Sequence, residues 1–359
     1  MNYRIAKILA RKNFIADAIE PLAINIKDPI SQIILVNEVL GVGGVDLLAH
    51  RAAHITKIEI FDGSDVSYSL SGVEAQAVDF YHNKREPANT LTYVNTHYAY
   101  EVYKLNFGRY LYDPLLAWDP KKFVNPQMKI TIDLNASEAL VASGYLTVMA
   151  HIFDEKEIVP EGFLMHKEIK SWDLAADAHE YTDLPTDFPY RKLFLRAQRY
   201  DFKPTVQVDQ IKISEDNDKR IPVDNTSEEV LKAIQSSTPP YREALTYPGY
   251  VAARFVYVTP TYRALYGAAP WRNVQTEMNT SVGFGDGGRI AHVETASGPN
   301  IQIFGEGYLP HGVFEIPFGL QNEPDDWYDV GKVGSLKADI TGGESTGSAE
   351  LMLQQFRKY

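Results

Sequence analysis

The 359-residue sequence contains no cysteine. Disulfide cross-links, a thiol nucleophile and a cysteine-ligated zinc are therefore excluded, so stability must come from packing and assembly. An excess of basic residues is also missing, since 35 Lys and Arg stand against 47 Asp and Glu and give a formal net charge of −12. A surface that neutralises nucleic-acid phosphates needs clustered Lys and Arg, so we expect no direct contact with nucleic acid.

Long apolar runs are absent too, because no stretch reaches the roughly 18 residues that cross a bilayer as a helix. Lysine and arginine interrupt the N-terminal MNYRIAKILARKNFIADAIE, unlike the continuous apolar stretch of a secretory signal. Its apolar residues fall roughly on one side of a helix, and four cations precede the first acid: Arg4, Lys7, Arg11 and Lys12. We therefore predict an amphipathic helical arm over residues 1–28. Such an arm either packs on its own domain or a neighbour, or rests on an anionic membrane surface.

Recognisable catalytic motifs are missing as well. The sequence contains no G-x-S-x-G, no H-E-x-x-H and no P-loop lysine. The glycine-rich GFGDGG at 283–288 is followed by an alternating strand pattern instead of the helix that a phosphate cradle requires. We therefore predict that the protein is not an enzyme and binds no cofactor.

Metal sites have two weak candidates. A catalytic metal inside a β-barrel, as in cupins, needs two histidines one residue apart on one strand, and no His-x-His occurs. His97 with Glu101 comes nearest, and His311 with Glu315 repeats the spacing. The acidic turns DGSD at 62–65 and EDND at 215–218 lack the closing glutamate of a calcium loop. Tight hairpins favour the same residues, which leaves structural calcium at a subunit contact as an alternative only.

One pattern of elements occurs twice along the chain. VYKLNFG at 102–108 matches VFEIPFG at 313–319, and SQIILVNEV at 31–39 matches RKLFLRAQR at 191–199. Residues 55–81 and 208–234 align without a gap at an offset of 153, and each block reads strand, acidic turn, strand, helix. Near the end of each copy, KITIDLN at 129–135 matches SLKADIT at 335–341, and YLTVMAHIF at 145–153 matches ELMLQQF at 350–356. We conclude that the chain contains two copies of one β-domain.

Composition supports an all-β fold, because 22 Tyr and 16 Phe accompany 24 Gly and 20 Pro that are scattered along the chain. We predict two tandem eight-stranded antiparallel jelly rolls, each with a short helix in a connection. The predicted boundaries are an N-terminal helical arm at 1–28, a first jelly roll at 29–158, a linker at 159–187 and a second jelly roll at 188–359. Long inserted loops around 238–312 belong partly to the core and partly to a protrusion.

The block DLPTDFPYRKLFLRAQR at 183–199, continued by IKISEDNDKRIP at 211–222, resembles the major capsid proteins of tailless icosahedral bacteriophages with an internal membrane, as do the repeated FG turns. The resemblance lies in the order of strands and turns. It implies a double jelly roll that forms pseudo-hexameric homotrimers in the virion capsid, assembled in the host cytoplasm. It also implies contacts with neighbouring capsomers, with penton and minor capsid proteins and, through the cations of the arm, with the internal lipid membrane.

Residue types expected at interface hot spots, or in loop packing, lie outside the predicted strands: Tyr241, Arg242, Tyr262, Arg263, Tyr266, Trp271 and Arg272. Two other functions stay open at this point. A carbohydrate-binding or spike jelly roll also presents Trp and Tyr on its loops. A bicupin-type metalloenzyme is disfavoured by the missing histidine pair.

Overall fold

The computed structural model describes residues 1–41, 49–136, 141–248, 254–270, 281–292 and 300–359. The first half of the chain contains β1 (Tyr3–Phe14), β2 (Ala18–Ala23), β3 (Ile30–Gly41), β4 (Ile55–Asp62), β5 (Asp65–Leu70), α1 (Gly72–Asn83), β6 (Leu91–Thr92), β7 (Tyr98–Asn106), β8 (Gln127–Ile132) and β9 (Val141–Phe153). Short 3-10 helices at Arg51–His54 and Pro120–Lys122 complete it. Strands thus dominate this half, as its alternating apolar pattern predicts.

The second half begins with β10 (Gly162–Leu174), β11 (His179–Leu184), β12 (Tyr190–Gln198), α2 (Pro204–Gln207), β13 (Val208–Glu215), β14 (Arg220–Thr226) and α3 (Ser227–Ser237). It continues with β15 (Tyr241–Tyr247), β16 (Arg254–Tyr257), β17 (Pro260–Pro270), β18 (Ser281–Gly285), β19 (Arg289–His292) and β20 (Ile301–Pro310). It ends with β21 (Val313–Pro317), a 3-10 helix at Pro324–Asp326, β22 (Leu336–Gly342) and β23 (Gly347–Lys358).

Strand order confirms the predicted double jelly roll. In the first half, β1-β9-β3-β7 form one four-stranded layer and β2-β8-β4-β5 form the other. In the second half, β10-β23-β12-β21 and β11-β22-β13-β14 repeat the same two orders. All pairings within these four layers are antiparallel. A parallel contact between β5 and β10 joins one layer of each jelly roll into a continuous eight-stranded sheet.

The predicted helical arm is wrong, because residues 1–28 contain two strands of the first jelly roll. β1 pairs with β9 from Tyr3 opposite Phe153 to Phe14 opposite Gly144, and β2 pairs with β8. The apolar spacing of the segment suits a strand as well as a helix, and pairing with β9 satisfies its backbone hydrogen bonds. Tertiary contact therefore decides its structure.

The predicted linker at 159–187 is wrong for the same reason. It contains β10 and β11, which pair with β23 and β22. These two strands take the places in the second jelly roll that β1 and β2 take in the first. The strand sets of the two halves therefore start at Tyr3 and Gly162, two strands earlier than the predicted starts at 29 and 188.

The constant offset of 153 between the copies holds only up to the acidic turn. Ile60 lies opposite Tyr68, and Ile213 lies opposite Val223. Both helices then start with a capping box, on Ser71 in α1 and on Thr226 in α3, 155 residues apart. The second acidic turn is therefore two residues longer, and the gapless alignment misassigns β14 and α3 by two positions.

The predicted loops around 238–312 contain six strands in the described residues. A five-stranded sheet in the order β18-β17-β20-β15-β6, here called the insertion sheet, is accompanied by the β16-β19 hairpin. The short β6 comes from the first jelly roll and runs parallel to β15, with Leu91 opposite Leu245. The sheet and the hairpin share a core of their own, which includes Tyr93, Val256 and Ile303. Both jelly rolls therefore contribute to this small extra layer.

Candidate functional site

The junction between the two jelly rolls shows how one barrel of this protein binds another. At the parallel contact of β5 with β10, Tyr68 lies opposite His166, and their ring centroids are 5.4 Å apart. The Arg357 guanidinium donates to both carboxylate oxygens of Asp65 and lowers the pKa of that carboxyl. Lys57 Nζ lies 2.6 Å from Glu168 Oε2 on the same seam. The seam therefore combines strand pairing with two ion pairs of opposite orientation.

A buried polar network reinforces this junction beneath the sheet. Lys192 Nζ bonds the Glu315 carboxylate and, at 3.0 Å, the carbonyl oxygen of Tyr81, while Lys84 Nζ lies 2.9 Å from Glu315. Burial lowers the pKa of Lys192 to about 8. The Tyr81 hydroxyl in turn donates to the carbonyl oxygen of Val313 at 2.6 Å. Helix α1 of the first jelly roll is thus fixed to strands of the second.

β1 and β14 are two of the strands that end a sheet in the described part of the chain. β1 ends the layer β1-β9-β3-β7, and β14 ends the layer β11-β22-β13-β14. Apolar side chains project at both edges, with Ile5 57% and Ile221 41% exposed. An exposed strand edge is a template for pairing with another chain unless it is protected. These edges are candidate contact surfaces that the sequence pattern did not indicate, because β1 was predicted as a helix.

Three of the four predicted arm cations lie in ion pairs on the first jelly roll. Arg4 Nε lies 3.2 Å from Asp154 Oδ1, and Lys12 Nζ lies 2.6 Å from Glu20 Oε2. The Arg11 guanidinium contacts Glu38 at 2.9 Å and stacks 3.3 Å above the ring of Tyr145. Lys7 is exposed on β1. Arg4, Arg11 and Lys12 therefore form a row of paired charges along β1.

Five of the predicted hot-spot residues lie on β15 and β17 of the insertion sheet, but they differ in exposure. Tyr241 and Tyr262 are buried, at 2% and 6% exposure, and serve as core residues. Arg242 is exposed on β15, with its Nε 2.6 Å from Glu306 Oε2. Arg263 is exposed, and its backbone N donates to Asp286 Oδ1 at 3.0 Å. Tyr266 is half-buried, whereas Trp271 and Arg272 lie outside the described residues.

One face of the insertion sheet is apolar and exposed. Phe284 is 76% exposed, Val282 71% and Phe304 51%. Beside them lies a groove of about 650 Å³, lined by Ala244, Leu265, Tyr266, Gly267, Val282 and Phe304 and bordered by Arg242, Glu306 and Glu86. Large exposed apolar surfaces often mark contact sites. The sequence does not predict this apolar face, because its residues come together only when β18, β17 and β20 pair.

The candidate metal pairs do not converge in the structure. His97 is exposed and bonds the carbonyl oxygen of Asn95, whereas Glu101 is buried and accepts from the hydroxyl of Tyr103 at 2.9 Å. His311 contacts Gln76, and Glu315 binds Lys192. Within the described ranges, no group of three or more His, Asp or Glu residues could hold a metal ion.

The acidic turns use their carboxylates to fix loops. Asp62 accepts from the backbone N–H groups of Val124 and Asn125 at 2.8 and 2.9 Å. Asp216 accepts from the backbone N–H of Ser335 at 2.9 Å. The first turn therefore stabilises the loop before β8, and the second stabilises the loop before β22. Calcium at a subunit contact stays a prediction.

A buried histidine cluster lies where the insertion sheet meets the jelly rolls. His50 Nε2 is 2.9 Å from Glu243 Oε1, and the same carboxylate accepts from the backbone N and the hydroxyl of Thr259. The ring of His311 lies 5.0 Å from that of His50, and burial lowers the pKa of His311. These contacts fix the insertion sheet to both barrels.

Comparison with known proteins shows the fold. No known family profile and no curated protein sequence matches the chain. Among solved structures, the STIV MCP covers 99% of this chain and 96% of its own at 11% identity, with a TM-score of 0.59. The major capsid protein P2 from bacteriophage PM2 is 10% identical, with 99% and 98% coverage and a TM-score of 0.55. The PBCV-1 virus capsid is 9% identical, with 99% and 94% coverage and a TM-score of 0.56. The double jelly roll is thus shared along nearly the whole chain.

Proposed function

We propose that the chain is a viral major capsid protein whose homotrimers form pseudo-hexameric capsomers of an icosahedral shell. The observation that supports this function is the complete double jelly roll, which solved viral capsid proteins share over 99% of the chain. Three chains with two similar barrels each place six similar barrels around the threefold axis. A trimer can therefore occupy a lattice position that has six neighbours. Such a role is distributed over interfaces and requires no catalytic group.

Further partners follow from the same role. A closed icosahedral shell has fivefold vertices that a capsomer with six corners does not fill, so separate penton proteins and minor capsid proteins complete it. Contact with an internal lipid membrane is supported by exposed Ile15, in the turn between β1 and β2, and by exposed Ile19 on β2. Arg4, Arg11 and Lys12 contribute little electrostatic attraction to lipid headgroups, because each already forms an ion pair with a carboxylate. In the described residues, no helix is long and apolar enough to cross a membrane.

The native mass of the purified protein tests the proposal. We expect a particle of three times 40.4 kDa with a hexagonal outline in negative-stain electron microscopy. A chain that stays monomeric at all concentrations contradicts the capsid function. Monomers that are retained on a glycan column indicate the carbohydrate-binding alternative instead.

A further inference from the structure

The observed junction uses only one edge of each jelly roll. β5 of the first jelly roll pairs with β10 of the second. The strands in the matching positions, β14 of the second jelly roll and β1 of the first, have no second neighbour among the described strands. If the same contact repeats, β14 must pair with β1 of a different copy.

Hydrogen-bond registers show which residues of the two halves match on the β1 and β10 sides. The backbone N of Phe153 donates to the carbonyl oxygen of Pro29 at 3.0 Å, and that of Phe356 donates to Pro189 at 2.9 Å. The next residues in the chain are Asp154 and Arg357. Lys7 on β1 lies opposite Met149, just as Glu168 on β10 lies opposite Met352. Asp154 therefore matches Arg357, and Lys7 matches Glu168.

The same procedure matches the two edges on the β5 and β14 sides. Asp62 lies opposite Asp65 where the first hairpin opens, and Glu215 lies opposite Arg220 in the second. The capping residues Ser71 and Thr226 confirm this register. Arg220 therefore matches Asp65. Lys57 and Gln210 also match. Lys57 on β4 lies opposite Thr131 on β8, and Gln210 on β13 lies opposite Thr341 on β22, the strand equivalent to β8.

The charges of the pair between Arg357 and Asp65 are reversed at the matched positions. The observed junction places Arg357 of the second jelly roll on Asp65 of the first. The free edges offer Asp154 beside β1 and Arg220 on β14, so the acid and the base exchange sides. In the second ion pair, Lys57 bonds Glu168. At the free edges, Gln210 takes the place of Lys57 and Lys7 takes the place of Glu168. The Gln210 side chain donates to Asp224, which supplies a negative charge near the expected position of Lys7. The two free edges are thus complementary in charge to each other.

We propose that β14 of one copy binds β1 of a second copy of this chain in the parallel arrangement of β5 with β10, with Arg220 on Asp154 and Lys7 beside Asp224. This inference rests on the proposed capsid function and names the residues of its subunit interface. A contact between two different edges is head-to-tail, and three such contacts close a ring of six jelly rolls.

Charge reversal also opposes exchange of the β5–β10 junction for a contact with another copy. Pairing of β14 with β10 of another copy places Arg220 against Arg357. Pairing of β5 with β1 of another copy places Asp65 against Asp154. Like charges at an interface oppose wrong partners, so both mispaired arrangements are disfavoured.

Asp154 and Arg220 are each held in place by an ion pair within the single chain. Asp154 is held by Arg4, and Arg220 Nη1 lies 2.8 Å from Glu215 Oε1. Joining the edges would give an alternating row of charges from Arg4 through Asp154 and Arg220 to Glu215. Ile5 takes the place of His166, which is buried at the observed junction, so pairing would also cover an exposed apolar side chain.

Charge-swap variants of the full-length protein test the interface. Native mass spectrometry and sedimentation velocity would compare the wild type, Arg220→Asp, Asp154→Arg and the double variant Arg220→Asp with Asp154→Arg. We expect each single variant to associate roughly 100-fold more weakly, and the double variant to recover trimers. Lys232→Asp on the exposed side of α3 changes the charge equally and should leave the trimer intact. Far-UV circular dichroism and thermal unfolding verify that each variant is folded.

The possible results separate the two proposals. Trimeric wild type with fully trimeric single variants overturns the edge pairing and leaves the capsid function standing. Weakened single variants without recovery in the double variant also overturn the pairing of Arg220 with Asp154. A wild type that never associates overturns the capsid function itself.

Discussion

The two jelly rolls share their strand order but differ in the connection after their helices. In the first, α1 is followed by the short β6, whereas in the second, α3 is followed by the six strands between Tyr241 and Pro310. Helix α1 is buried continuously from Gly72 to Tyr81, while only four residues of α3 are buried. A duplicated scaffold therefore keeps its sheets and diverges where its surroundings differ, because α1 also contacts β21 of the second jelly roll, whereas the main contacts of α3 are with its own jelly roll.

Truncating a helix core residue should affect the two copies very differently. Phe80 is buried in α1, 4.9 Å from the Tyr241 ring and 5.7 Å from the Tyr81 ring. We expect Phe80→Ala to lower the free energy of unfolding by about 3–5 kcal/mol, because it leaves a cavity. The matching residue in α3, Gln235, is half-buried, and Gln235→Ala should change stability by less than about 0.5 kcal/mol. Urea unfolding of both variants measures the difference, and equal losses would contradict it.

Breaking the buried pair that joins the barrels should cost nearly as much. Glu315→Gln leaves Lys192 buried without its carboxylate, so we expect a loss of about 3 kcal/mol at neutral pH. The exposed pair of Arg242 with Glu306 provides the control, and Glu306→Gln should cost less than about 1 kcal/mol. Chemical denaturation at pH 7 compares the two. Similar small losses would show that the buried pair does not fix the junction.

The two capping-box glutamates should respond oppositely to removal of their charge. Burial raises the pKa of Glu74 to about 7 from 4.5, so folded protein retains a proton that the unfolded chain releases. Stability from this group therefore falls as pH rises from about 4.5 to 7. We expect Glu74→Gln to be about 1–3 kcal/mol more stable than the wild type at pH 8 and equal to it below pH 4.5.

Glu229 is the matched control in α3. A hydrogen bond from the backbone of Thr226 lowers the pKa of Glu229, so its charge stabilises the fold once pH exceeds the ordinary value. Glu229→Gln should therefore lose a little stability at pH 8. Thermal unfolding across pH 4 to 8 distinguishes the two glutamates, and a gain in both variants would exclude burial as the cause.

The smallest effect on stability is expected on the apolar face of the insertion sheet. Phe284→Ser should change the free energy of unfolding by less than about 0.5 kcal/mol, because this side chain is 76% exposed. It should nevertheless reduce binding of an apolar fluorescent dye to the subunit. Ile303→Ser, on the buried side of the same sheet, should unfold the layer and increase dye binding. Equal dye binding by both variants would contradict the assignment of the two faces.

Sequence patterns identified strands where alternation and tight turns occur together. The repeated sequence blocks correctly match five strands of the first jelly roll to five of the second. The first set is β3, β4, β7, β8 and β9, and the second is β12, β13, β21, β22 and β23. The patterns missed β1, β2, β10 and β11, since isolated edge segments with mixed polarity give the same signal as a helix or a linker. They also left Tyr241 and Tyr262 as interface or loop-packing residues, whereas both side chains are buried in the core, because aromatic residues look alike in a core and on a surface.

Duplication, the absence of thiol chemistry and the order of the central strands follow from the amino-acid sequence alone, because local periodicity records which face of each strand is apolar. The tertiary structure decided which edges stay free, that Asp154 and Arg220 occupy the places of Arg357 and Asp65, and that α1 is enclosed. Those properties depend on register between segments far apart in the chain, where a shift of one or two residues changes every partner.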